Sequence, residues 1–161
     1  MLELPRHIFD FNLALAERLA EGIEENELDL QPIANVNPPR WILGHLAIGA
    51  DFIPQQLGQS GILEESWLKN FGPGSTAGQY SHEVPDKPEL LQTLNRCHAN
   101  AVKALDAVEG PELARVRSGE MLEDAFPTAG TMIAHLMTSH YAFHLGQLSA
   151  WRRMTGRTPL F

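Results

Sequence analysis

The clearest pattern in the chain lies between Thr131 and Arg153, where Ile133, Met137, His140, His144, Leu148 and Trp151 follow one another at steps of four, three, four, four and three. That is the period of an amphipathic helix, and no proline interrupts it, so the stretch predicts one helix of about six turns. Three more stretches carry the same period. From about Pro5 to Glu24 the inward positions are Ile8, Phe11, Leu15, Leu19 and Ile23, with Pro5 in the first turn. A second helix starts at Pro38-Pro39, with Asn37 placed to cap it, and turns Ile42, His45, Leu46, Gly49, Phe52 and Ile53 inward. Pro54 bends or ends it, because proline removes a backbone hydrogen bond. The third helix opens on the capping box Asp86-Lys87-Pro88-Glu89 and runs through Leu91, Leu94, His98, Ala101, Leu105 and Val108 to Gly110-Pro111. No stretch alternates as a strand would.

The connections are unequal. Glu24 to Asn37 is acidic, then rich in proline and asparagine. Gly58 to Pro85 is far longer and carries Trp67, Phe71 and Tyr80, which should anchor it against the helices. Its run Gly72-Pro73-Gly74-Ser75 has neither the lysine nor the strand-to-helix setting of a phosphate loop. An irregular acidic stretch leads to Phe126-Pro127-Thr128, where the last helix begins. The expectation is an all-α single domain over residues 1–161, a four-helix bundle whose second and third helices are joined by a long crossover.

Charge narrows the partners. A formal net charge of −8 lacks the basic footprint that phosphate binding requires, so nucleic acid and anionic membrane surfaces are excluded as partners. No apolar run is long enough to span a bilayer, and the start of the chain, MLELPRHIFDF, does not read as a signal peptide. The single cysteine, Cys97, suits a reducing cytoplasm and reads as a small core residue.

The inward stripes carry histidines, and these change the picture. One imidazole on an apolar face is ordinarily a core residue satisfied by a hydroxyl or carbonyl. His140 and His144 stand one turn apart on the same face, where both rings can converge on one ion. His45 occupies an inward position of the second helix, so the three form a geometrically sensible metal trio across facing helices. His135, five residues before His140, is turned about 140° away on an α-helix and reads as peripheral. His98 is inward but a weaker candidate, His82 reaches the trio only if the long connection folds over it, and His7 reads as exposed. Gly44 and Gly49, on the turns around His45, allow close approach by another helix or by a ligand.

Trp41-Ile42-Leu43-Gly44-His45-Leu46, followed far downstream by His140-x-x-x-His144-x-Gly146-Gln147-Leu148, Arg152-Arg153 and Gly156, resembles the DinB/YfiT-like superfamily of metalloenzymes. The resemblance covers essentially the whole chain. It implies an up-down-down-up bundle, a divalent metal (often zinc or nickel) held by His45, His140 and His144, and frequently a homodimer. It also implies two kinds of chemistry on small molecules: metal-dependent hydrolysis, or transfer to a low-molecular-weight thiol such as bacillithiol or mycothiol. Three neutral ligands leave the ion its full charge and an open position, which suits either. A non-catalytic metal- or ligand-binding bundle is the reading from another class. Gln147 can lie beside the metal or bond between helices; Arg152 and Arg153 read as a solvated helix end, and Glu120, Glu123 and Asp124 as solvated unless they reach a pocket mouth.

Overall fold

In the computed structural model, which describes residues 2–81 and 83–160, the chain is all-helical. Among the described residues the only β pairing is an isolated bridge between Val116 and Thr128. The helices are α1 (Glu3–Ala20), α2 (Pro39–Gln56), α3 (Glu65–Phe71), α4 (Lys87–Asp106), α5 (Gly110–Leu113), α6 (Ala129–His135) and α7 (Tyr141–Met154), with one turn of π-helix, Leu136–His140, between the last two. No helix among the described residues is long and apolar enough to cross a membrane.

α2 is the centre of the molecule. It packs against α4, α3, α6, the π turn and α7, while α1 lies on α7 and the π turn. Every residue from Pro38 to Asp51 is buried. A helix enclosed on all sides must satisfy its few charges internally. Arg40 reaches Asp29 and Glu25 and donates to the Pro85 carbonyl. Asp51 accepts from the Ile62 N–H at 2.7 Å and from Gln55. The helix begins with Pro38 in the capping position, so Asn37 does not cap it and instead donates to Gln147 Oε1.

The long connection covers the outer face of α2, as its aromatic residues suggested. Phe71, at the end of α3, is 1 % exposed, and Trp67 and Tyr80 pack against the same core. Phe71 lies so close to Gly44 that a Cβ there would fall 2.4 Å from the ring. Asp86 caps α4 by accepting from the Glu89 N–H.

The stripe of α1 and the fate of Arg152 differ from the sequence reading. In α1 the buried residues are Phe9, Asn12, Ala16, Leu19 and Ala20, whereas Ile8 and Phe11 are 43 % and 55 % exposed. The inward face is centred on a polar residue, because the Asn12 amide donates to the Met137 carbonyl inside the π turn. Arg152 is buried, not solvated: it donates to the carbonyls of Leu19 and Glu21 and so closes the C-terminus of α1. Along the last helical segment the expected stripe is buried at Ile133, Met137, His144, Leu148 and Trp151, and beside it runs a second buried row, Met132, Leu136, Tyr141, Leu145, Leu148 and Arg152, with steps of four, five, four, three and four. The step of five is the π turn, where hydrogen bonds run from i to i+5.

Gly44→Ala is expected to destabilise the protein by about 1–3 kcal/mol, since the methyl group must displace a buried aromatic ring. Urea unfolding of the two proteins measures it, and equal midpoints would show that the ring has room to move.

Candidate metal centre

His45 projects from the middle of α2, His140 closes the π turn and His144 lies one turn into α7. The structure brings the three imidazoles together: each offers a ring nitrogen, and these nitrogens all lie within 4.8 Å of one another. His140 Nε2 and His45 Nε2 are 3.2 Å apart. Two ligands on a tetrahedral zinc with bonds of about 2.0–2.1 Å would stand about 3.3 Å apart, so the spacing suits one ion. His45 and His144 are each 7 % exposed, and His140 is half-buried.

The outer nitrogen of His45 settles its tautomer, and that of His144 follows from the orientation of the Gln147 amide. His45 Nδ1 lies 2.7 Å from the Phe71 carbonyl, which can only accept, so Nδ1 carries the proton and Nε2 presents a lone pair to the cluster. His144 Nδ1 donates in the same way to Gln147 Oε1 at 3.3 Å, which also accepts from Asn37. Gln147 therefore holds a histidine and a helix entry at once. Trp41 stacks on His45 with ring centres 4.5 Å apart and planes at 11°, and its indole N–H donates to Ser75, which in turn donates to the Gly72 carbonyl. The Gly-Pro-Gly-Ser run thus buttresses the wall behind His45.

His140 is the unsatisfied member. Its Nδ1 is buried with no hydrogen-bond partner, beside Gly49, where a Cβ would sit 2.9 Å from that nitrogen. If its proton is on Nδ1, two bare Nε2 lone pairs face each other across 3.2 Å, an arrangement that a cation relieves. The residues present therefore fit a divalent metal. Gly49 has a different role from Gly44: it makes room for His140, whereas Gly44 makes room for Phe71.

Burial keeps the rings neutral. Loss of hydration, followed by the neighbouring imidazoles, lowers the pKa of His140 to about 3, and the same causes lower that of His144 to about 4. The His45 pKa is lowered by burial, partly offset by the Phe71 carbonyl. Protons therefore compete for the folded site well below the ordinary histidine range.

His135 is not one of the three converging imidazoles, as expected, but it lies beside them, contrary to the α-helical projection. The π turn places residues five apart on one face, and the His135 and His140 ring centres are 5.8 Å apart. His135 stacks on Phe126, with its Nδ1 2.7 Å from Ser139 Oγ. His98 is held elsewhere, bonded to Asp10 and stacked on Phe9. His7 is exposed, and His82 lies outside the described residues. Cys97 is buried, and its thiol pKa is pushed up to about 12, so it remains an inert core residue.

A cavity of about 530 Å³ opens beside His45, His140 and His135, walled by Trp41, Ile48, Phe52, Met121, Leu122 and Leu136 among others. Glu120 lines it too, but both of its oxygens are taken, by Arg115 and Arg117, and these partners lower its pKa. Glu123 accepts from the Gly119 N–H, and Asp124 is exposed. Arg117, which sequence reasoning missed, is 3 % exposed and shapes this wall.

The sequence pattern that defines the DinB superfamily matches residues 8–148, and the chain belongs to that superfamily. Among solved structures it is similar to the conserved protein of a locus from Enterococcus faecalis, with a TM-score of 0.72 and 18% identity over 96% of each chain, which is a likeness of fold. No curated protein matches.

Two outcomes are expected. In the unfolded chain these histidines titrate near about 6.5, so below that pH the unfolded state takes up protons that the folded state refuses. Metal-free protein should keep its full histidine-linked stability above about pH 6.5 and lose it progressively toward pH 4. Urea midpoints at several pH values test this, and His140→Leu should flatten the dependence; an identical slope in that variant would contradict it. Gly49→Ala should displace the His140 ring and weaken zinc binding at least tenfold in calorimetry (roughly 1.4 kcal/mol), whereas unchanged affinity would remove His140 from the set.

Proposed function

We propose that this member of the DinB superfamily is a divalent-metal-dependent enzyme acting on a small molecule, with His45, His140 and His144 as the metal ligands. The observation that carries the reading is the convergence of three neutral imidazoles, two of them fixed by outer hydrogen bonds, on one point beside a cavity. A closed structural site would spend a fourth ligand, and no cysteine or carboxylate joins the three among the described residues.

When bound, zinc or nickel held by three neutral ligands supplies a Lewis acid with an open position, able to polarise a carbonyl, acidify water or stabilise a thiolate. The chain's own residues supply the rest. Phe71 and Gln147 hold two rings in the tautomer that turns Nε2 inward, Trp41 fixes the plane of His45, and the apolar wall limits water at the open side. Both chemistries of the family belong to this reading: transfer to a low-molecular-weight thiol of the bacillithiol or mycothiol type, and metal-dependent hydrolysis. The only carboxylate lining the cavity among the described residues is Glu120, committed to two arginines, so no free carboxylate base stands by. Neither thiolate formation nor hydroxide formation on a metal needs one. The same reading takes the four long helical segments as an up-down-down-up bundle, and the protein as a cytoplasmic homodimer.

Protein isolated without chelator or histidine tag should carry about one zinc or nickel per chain, and His144→Ala should lose most of it. Stripping the wild type should lower its unfolding temperature by only a few degrees, because the extensive apolar core holds the bundle without the ion. Collapse of the metal-free wild type would instead establish a structural metal centre. A screen with thiol cosubstrates and electrophiles should show transfer that His144→Ala abolishes.

A further inference from the structure

The wall of the cavity opposite α2 is a loop, and its construction is unusual for an irregular segment. Its base is closed by the Ala129 N–H donating to the Arg115 carbonyl at 2.9 Å and the Arg117 N–H donating to the Pro127 carbonyl at 3.0 Å. Its interior is filled by the buried Arg117 guanidinium, which donates to Gln56 Oε1, Glu120 Oε2 and the carbonyls of Phe126 and Met121. Arg115 adds a bond to the Gln56 carbonyl at the end of α2. So many charge-assisted bonds hold the loop as a rigid piece tied to α2.

What the loop presents is apolar. Met121 and Leu122 are 56 % and 49 % exposed and both line the cavity. Leu122 has φ of 63°, a conformation that costs a branched side chain of order 1–3 kcal/mol. Strain of this kind at a large exposed side chain persists where the surroundings impose it, and here they hold the leucine at the cavity mouth. The charges of that wall are already spent, Glu120 on two arginines and Arg117 on four acceptors, and Gln56 Oε1 accepts from Arg117. The titratable groups left to a ligand in this cavity are His45, His135 and His140.

We propose that the cavity receives the apolar body of a small-molecule substrate, with one polar reacting group turned to the histidines, and that Met121 and Leu122 set how large that body can be. Only the placement of the polar group rests on the metal reading. The volume, about 530 Å³, suits a drug-like or medium-chain electrophile; the sugar-derived thiol of the proposed transfer is not assigned to this wall, which offers no free charge.

The test has two arms. Metal-free wild type is titrated with straight-chain alcohols from butanol to octanol, read by calorimetry. Affinity should rise about threefold to fourfold per methylene until the cavity is filled. Leu122→Gly removes the wall while relieving the positive φ, so the variant stays folded; it should bind octanol about fivefold to tenfold more weakly and butanol almost unchanged. Flat affinity along the series, or octanol binding that ignores Leu122→Gly, would overturn the proposal. In the second arm, zinc-loaded protein is titrated with acetohydroxamate and octanohydroxamate. Octanohydroxamate should bind more tightly than octanol, and Leu122→Gly should weaken it while leaving acetohydroxamate at wild-type strength. Hydroxamates no tighter than the matching alcohols would overturn the placement of the polar group, and the metal reading with it, independently of the chain-length result.

Discussion

One turn of backbone sets the geometry on which the site depends. Between Leu136 and His140 the last helical segment widens to i→i+5 bonding, and the inward face moves on by one residue. Such a turn is poorer in local packing than an α turn, and side chains compensate it: Asn12 donates to the Met137 carbonyl, Thr138 to the Ala134 carbonyl at 2.6 Å, and the Tyr141 hydroxyl to Leu46 on α2. The polar residue in the middle of α1's buried face is thereby explained, as is the fully buried tyrosine. Without the extra residue in the turn, His135 would face away from the cavity and the segments on either side could not both keep their apolar stripes inward.

The second constraint is electrostatic. Three imidazoles are packed together in the chain's interior with their pKa values pushed down, so the fold holds them neutral at the expense of hydration. That expense is met by specific partners for His45 and His144, and is left standing at His140 Nδ1. A core chosen for stability alone would use apolar residues at these positions, since a half-satisfied polar cluster is worse than none. The cluster is therefore best understood as a working site whose last requirement is met by something bound.

Much of this was legible in the sequence. The helical period gave the four long segments, and histidines on inward stripes singled out His45, His140 and His144, because imidazole among apolar neighbours is conspicuous. The packing of Trp67, Phe71 and Tyr80 followed from their size. What escaped notice was polar or non-periodic. Asn12 and Arg152 are buried through hydrogen bonds to carbonyls that exist only once the helices meet. The π turn hid because an α-helical stripe can be drawn through the same residues and is itself buried; the row through Met132, Leu136, Tyr141 and Leu145, which carries the step of five, is buried beside it. The loop from Arg115 to Thr128 read as solvated acid because a guanidinium that organises a loop cannot be told from a surface one by its neighbours in sequence.

The enclosure of α2 by the long connection carries a further meaning. The carbonyl that orients His45 and the serine that holds Trp41 against it both belong to that connection, four residues apart. Docking of this one segment therefore supplies both constraints on the ring together, and lifting it withdraws both. The orientation of His45 is thus inherited from a piece of chain that crosses the outside of the bundle and, among the described residues, makes no hydrogen bond to His140 or His144. The centre behaves as a keyed joint, assembled from the inside by α2, the π turn and α7, and locked from the outside by a strap.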